Sequence, residues 1–162
     1  MATTRKGHSA AATKPAWEGR PPIKKILVPI DFSEASWMAL RHAVPLALAL
    51  KAKITVLYVF QGRAYSSEFA HLPEDEMSIE TRSKEELEKC TAESIPREVA
   101  GEILVRNGAA FDEIVKVARS QDIDLIVINR RGHSRLKQML LGSTAERVVR
   151  FAPCPVLVVA EK

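Results

Sequence analysis

Two clusters in this 162-residue chain have the residue types and spacing to hold a phosphate group. One is Asn129-Arg130-Arg131-Gly132-His133; the other, separated from Gly132 by nine residues, is Gly142-Ser143-Thr144. Glycine lets backbone amides come close to an anion. The hydroxyls of Ser143 and Thr144 add donors, Arg130 and Arg131 add charge-assisted ones, and His133 lies in the same loop. Gly142-Ser143-Thr144 also opens an amphipathic segment in which Val148, Val149 and Phe151 stand among Glu146, Arg147 and Arg150. A helix beginning there points unpaired amides and the positive end of its dipole at whatever lies before it. The same residues admit a second reading. Ser143 followed by Glu146 is the pattern of a capping box, which would satisfy those amides internally.

Such a loop has to be held between a strand and a helix, and the flanking residues supply both. Residues 124–128 are a short, β-branched run suited to a strand buried on both faces. Pro153 and Pro155 stop the helix, and residues 156–159 form a further strand. Upstream, residues 23–30 read as the first strand, with Pro29 one residue before its tip, where ladder pairing ends. Asp31-Phe32-Ser33-Glu34 turns into a helix with Ser33 as its cap and Glu34 in its first turn. Trp37, Leu40, Val44 and Ala47 or Leu48 recur at helical spacing and are expected to face the sheet, and Pro45 to kink or divide the helix. Residues 53–60 are the second strand and 61–75 a loop. Residues 76–93 are a charged helix, 102–106 the third strand with Asn107-Gly108 as its exit turn, and Phe111, Ile114, Val115 and Ala118 mark the next helix. Strands alternating with helices require an α/β fold, an open doubly wound parallel sheet of five strands with helices on both faces. A first run of three strands on one side and two on the other gives the order 3-2-1-4-5. The winding then reverses between strands 1 and 4, and ligands of such sheets bind beyond the strand ends at that point. Asp31 follows strand 1 and Asn129 follows strand 4, so both flank the crevice.

The segment from Gly132 to Ser143, with RFAPCPVLVV after it and ILVPIDFS near the start, resembles the universal stress protein family over residues 23–162. In that family Gly-x2-Gly-x9-Gly-Ser/Thr cradles the phosphates of ATP. Gly132, Gly142 and Ser143 match the second and third glycines and the hydroxyl residue; Asn129 stands where the first glycine would be. The resemblance implies an adenine nucleotide alpha hydrolase-like fold with strand order 3-2-1-4-5. It also implies ATP as ligand, with Mg or Mn on the phosphates, and Asp31 and the backbone of Val59 against the adenine. Asn129, Arg130, Gly132, His133, Gly142, Ser143 and Thr144 would then line the phosphates. Separately, residues 156–159 are a short apolar strand at the sheet edge, and pairing it with a symmetry mate would give a homodimer through the C-terminal strand.

Composition narrows the function classes. Of the net charge of +4, three units belong to the first 22 residues, where Arg5, Lys6, Lys14 and Arg20 face Glu18 alone. The rest holds 20 basic and 19 acidic side chains, so no nucleic-acid face is expected on the domain. Gly7, Pro15, Gly19, Pro21 and Pro22 make residues 1–22 a disordered basic tail before a domain at 23–162. No apolar run approaches the roughly 20 residues that cross a bilayer, so no membrane partner is expected. Cys90 and Cys154 form no CxxC pair and suit the cytoplasm. His8, His42, His71 and His133 have no metal-ligand spacing. There is no Walker GxxxxGK[ST] and no nucleophile–His–acid set. The expectation is a nucleotide-binding stress-response protein that signals through its nucleotide state. Its alternatives are a module that has lost ATP and acts through protein partners, or a slow ATP hydrolase.

Overall fold

The computed structural model describes residues 21–61, 73–130 and 141–160. In order they form β1 (Lys25–Ile30), α1 (Glu34–Leu50), β2 (Lys53–Phe60), α2 (Pro73–Ser94) and β3 (Ala100–Asn107). Then come α3 (Ala110–Ser120), β4 (Leu125–Asn129), α4 (Ser143–Phe151) and β5 (Val156–Val159). The strands make one parallel sheet in the order β3-β2-β1-β4-β5, the order expected. The tail at residues 1–20 and most of the loop expected over 61–75 lie outside the described residues. The end of that expected loop is helical instead, because α2 already begins at Pro73, and proline is suited to a first helical turn, where its missing N–H is not needed.

Side-chain alternation divides the core into two layers. Ile26, Val28, Ile54, Val56, Leu125 and Val127 point to the face covered by α1 and α2; Leu27, Leu57, Ile126 and Ile128 point to the face covered by α3 and α4. Period-2 geometry with both faces apolar is the signature of a parallel central strand. Leu27 is fully buried, so truncation to alanine costs about 2–5 kcal/mol.

Helix α1 meets the sheet along a stripe rotated from the one expected. Ala39, Leu40, Ala43 and Ala47 are buried, whereas Trp37 and Val44 are half-buried and Leu48 is exposed. The alanines let the helix axis come closer to the sheet than a stripe of large side chains would allow. Pro45 does not divide the helix, which runs unbroken through it to a left-handed cap at Lys51.

The end of the sheet opposite the candidate crevice is tied by Asp124. Its Oδ2 accepts from the amides of Lys24 (2.8 Å) and Lys25 (2.9 Å), fixing the start of β1 against β4. Gly101 lies at the irregular pairing of β2 with β3, where a Cβ would stand 2.6 Å from the Ile54 carbonyl oxygen. Only glycine admits that approach. Among the described residues no helix is long and apolar enough to cross a membrane.

Candidate functional site

The C-terminal ends of β1 and β4 open onto a crevice of about 280 Å³. Leu57, Ile114 and Ile128 give it an apolar floor, Val59 lines one wall, and polar groups stand at its two ends.

The β1 end is a closed knot of local hydrogen bonds. Asp31 Oδ1 accepts from the Ser33 amide (3.0 Å) and from the Ser33 hydroxyl. Ser33 Oγ in turn accepts from the Ser36 amide (3.1 Å), which caps α1 as expected. Ser36 Oγ donates to the Ser33 carbonyl (2.8 Å) and accepts from the Asp31 amide (3.2 Å). Phe32 makes this path possible by adopting φ 61°, a left-handed conformation uncommon outside glycine. Its ring is held edge-on against Tyr58 (4.8 Å between centroids) and Trp37 (6.2 Å). Burial, and then the charges of Asp31 and Glu86, raise the Tyr58 phenol above its ordinary pKa.

The β4 end is built differently. Asn129 is buried and completes β4 opposite Val159. Its backbone is not left-handed, so the first position of the loop asks for no glycine-like angle. The Arg130 amide donates to the Val159 carbonyl (2.7 Å), and the Arg130 carbonyl accepts from the Gly142 amide (2.8 Å). That second bond ties the start of α4 to the end of β4. Arg130 Nε is buried and has no hydrogen-bond partner among the described residues.

Helix α4 then starts with Gly142 as its cap, and among the described residues no side chain caps it. This overturns the capping-box reading. Ser143 is the first residue inside the helix rather than the residue before it, so its hydroxyl is not in the capping position, and Glu146 donates its amide to the Gly142 carbonyl (2.9 Å). The first-turn amides are left facing the crevice without a capping side chain, which is the arrangement that favours an anion.

Asp31, Val59, Asn129, Arg130, Gly142, Ser143 and Thr144 therefore line one crevice. Gly132 and His133 lie outside the described residues. Sequence reasoning missed Ser36, Pro29 and Ala110, which share the lining; a buried serine on a helix leaves no periodic signal. His42 is exposed and bonds through Nδ1 to the Met38 carbonyl (2.9 Å), away from the crevice lining. Burial and the charge of Asp124 raise the Cys154 thiol, which suits an inert side chain. Among the described residues no group of three or more His, Cys, Asp or Glu side chains is placed to hold a metal ion.

A doubly wound parallel sheet with a switch-point crevice between a carboxylate and a glycine-opened helix places this molecule among the α/β domains that take ligands beyond their strand ends. The chain belongs to the universal stress protein family, whose model matches residues 22–160. It is 33% identical to the universal stress protein YxiE of Bacillus subtilis, over 85% of this chain and 99% of that one. It is 31% identical to the universal stress protein MJ0577 of Methanocaldococcus jannaschii, over 86% and 96%. Among solved structures, UspA from Lactobacillus plantarum superposes with a TM-score of 0.70 at 27% identity, covering 86% of this chain and 99% of its own. The structure of MJ0577 superposes at 0.68 and 32% identity, covering 88% and 99%.

Proposed function

We propose that this protein binds an adenine nucleotide, ATP with Mg or Mn, in the crevice between β1 and β4, and that it signals through its nucleotide state in a stress response. The observation that carries this is the uncapped, glycine-opened start of α4 facing Asp31 across an apolar floor. The adenine would lie on Leu57 and Ile128, with the Asp31 carboxylate accepting from its exocyclic amine and the backbone of Val59 alongside. The phosphates would meet the first-turn amides of α4, the hydroxyls of Ser143 and Thr144, and the guanidinium of Arg130. Gly132 and His133 belong to the same loop in sequence and are assigned to the phosphates with them. A divalent ion would be carried mainly by the phosphate oxygens, as Mg²⁺ commonly is.

Titration calorimetry with MgATP tests this reading. Saturable binding at micromolar to millimolar nucleotide supports it. Heat indistinguishable from dilution at millimolar ATP with either metal sinks it. Asn129 gives the rival its footing, since a side chain stands where the family's motif has a glycine. The second outcome would leave a module that acts through protein partners.

The edge of the sheet carries a proposal of its own. Among the described residues β5 is paired on one side only, and Leu157 on it is 40% exposed. An uncovered apolar edge invites pairing, and a two-fold partner through β5 would close it. Leu157→Lys is expected to shift a dimer to monomer in sedimentation, and a wild-type monomer at micromolar concentration would refute the pairing. The unpaired thiols of Cys90 and Cys154 suit a cytoplasmic setting.

A further inference from the structure

The crevice does not end at its inner chamber. A second, outer chamber of about 620 Å³ opens beside it, and Asp31, Val59, Ala110, Ser143 and Thr144 line both. The inner chamber, at about 280 Å³, falls just under the roughly 300 Å³ at which small-molecule sites begin, and the outer one lies well inside that range. The start of α4, which is the anion-binding feature of the site, therefore stands on the boundary between two spaces rather than at the end of one.

The outer chamber has a different lining from the inner. Tyr58, Phe60 and Phe111 give it aromatic walls, and Arg147 stands one helical turn beyond Ser143. The Tyr58 and Phe60 rings are stacked, 6.5 Å between centroids and 27° between planes. The Arg147 guanidinium lies 3.8 Å from the centroid of Phe111, whose ring is braced by Phe151 at 5.6 Å. Arginine held on an aromatic ring is pre-positioned and still carries its charge to a phosphate or its planar face to a base. Aromatic rings beside a guanidinium are the common platform for a nucleobase, because every base has a π-face.

Building on the adenine-nucleotide reading, we propose that the preferred ligand is two-headed, a dinucleoside polyphosphate. One base occupies the inner chamber, the phosphates cross the α4 N-terminus at Ser143 and Thr144, and the second base rests among Tyr58, Phe60, Phe111 and Arg147. The chain makes no covalent change to the ligand in this arrangement; it reads both ends of it.

Calorimetry with three probes and one variant decides the matter. The probes are ATP, adenosine tetraphosphate and diadenosine tetraphosphate, the last two sharing a phosphate count but differing in the second nucleoside. Diadenosine tetraphosphate is expected to bind about tenfold tighter than adenosine tetraphosphate, well beyond the twofold that two equivalent heads give statistically. Arg147→Ala, an exposed helical change that leaves the fold intact, should remove most of that advantage while changing ATP affinity less than about threefold. Equal affinities within twofold, with ATP still bound, overturn the two-headed ligand and leave the mononucleotide reading standing. An Arg147→Ala loss that falls equally on ATP also overturns it, by making the outer chamber part of the mononucleotide site. If none of the three probes binds, both readings fail together.

Discussion

Helices α1 and α4 both begin beside the same crevice, and they begin in opposite ways. At α1, Ser33 accepts from the Ser36 amide and donates to Asp31, so the turn is satisfied from within. At α4, Gly142 has no side chain to offer, and among the described residues no side chain caps the first turn. The α1 end is a rigid mount that fixes where one carboxylate sits. The α4 end leaves its first-turn donors without a side-chain cap among the described residues, as the proposed receptor for a ligand requires. Helix α3 starts nearby without a side-chain cap too, but Asp112 and Glu113 in its first turn supply negative charge that would repel a phosphate. The difference between a mount and a receptor here is one side chain at one position.

The strongest way to break that difference is to give α4 the cap that α1 has. Gly142→Asp should lower ATP affinity about a hundredfold or more, because a carboxylate would take the first-turn amides and repel phosphate, a like-charge contact costing several kcal/mol. The same change should leave the thermal midpoint level or raise it, since aspartate is a good cap. A drop in binding accompanied by unfolding would mean that the glycine is needed for the chain path rather than for the ligand.

Arg130→Ala should cost less. A hydrogen bond to a charged group is worth about 1.5–3 kcal/mol, so ATP binding should weaken tenfold or more if the guanidinium pairs with phosphate. Unchanged affinity in calorimetry would place Arg130 outside the phosphate contacts.

On the mount, Ser33→Ala should act on stability before binding. Loss of the α1 cap is expected to lower the unfolding free energy by about 1 kcal/mol, read by urea titration. ATP affinity should fall only as far as Asp31 loses its orientation. An effect on binding larger than that of Arg130→Ala would reverse the assignment of mount and receptor.

The smallest expected effect concerns Asp31 and Tyr58. Removing the carboxylate charge in Asp31→Asn should bring the Tyr58 phenol down toward its ordinary value, seen as an earlier rise of phenolate absorbance on alkaline titration. In the wild type the raised phenol holds its proton more tightly folded than unfolded. Its stabilising contribution is therefore complete below about pH 10 and lost as pH rises beyond it. In Asp31→Asn that loss should be shallower, because less of the shift remains.

The architecture was legible in the sequence because it rests on two periodicities. Strand β2 falls on the expected residues 53–60, and the parallel pairing of the strands follows from their alternation with helices. That Arg130, Gly142, Ser143 and Thr144 would share one crevice was legible as well, from their types and spacing. Other features depended on atoms that only meet in three dimensions. Whether Ser143 caps α4 or lies inside it turns on a single residue of helix start, and both patterns are written identically in the chain. Tertiary structure decided it by bonding the Gly142 amide to the Arg130 carbonyl, which sets where the helix begins. The left-handed turn at Phe32 belongs to the same class, because its aromatic partners Tyr58 and Trp37 come from separate elements. So does the rotated face of α1, chosen by how closely alanines let a helix approach a sheet. Local pattern determines which elements form; contacts between residues far apart in the chain determine where each one starts and which way it faces.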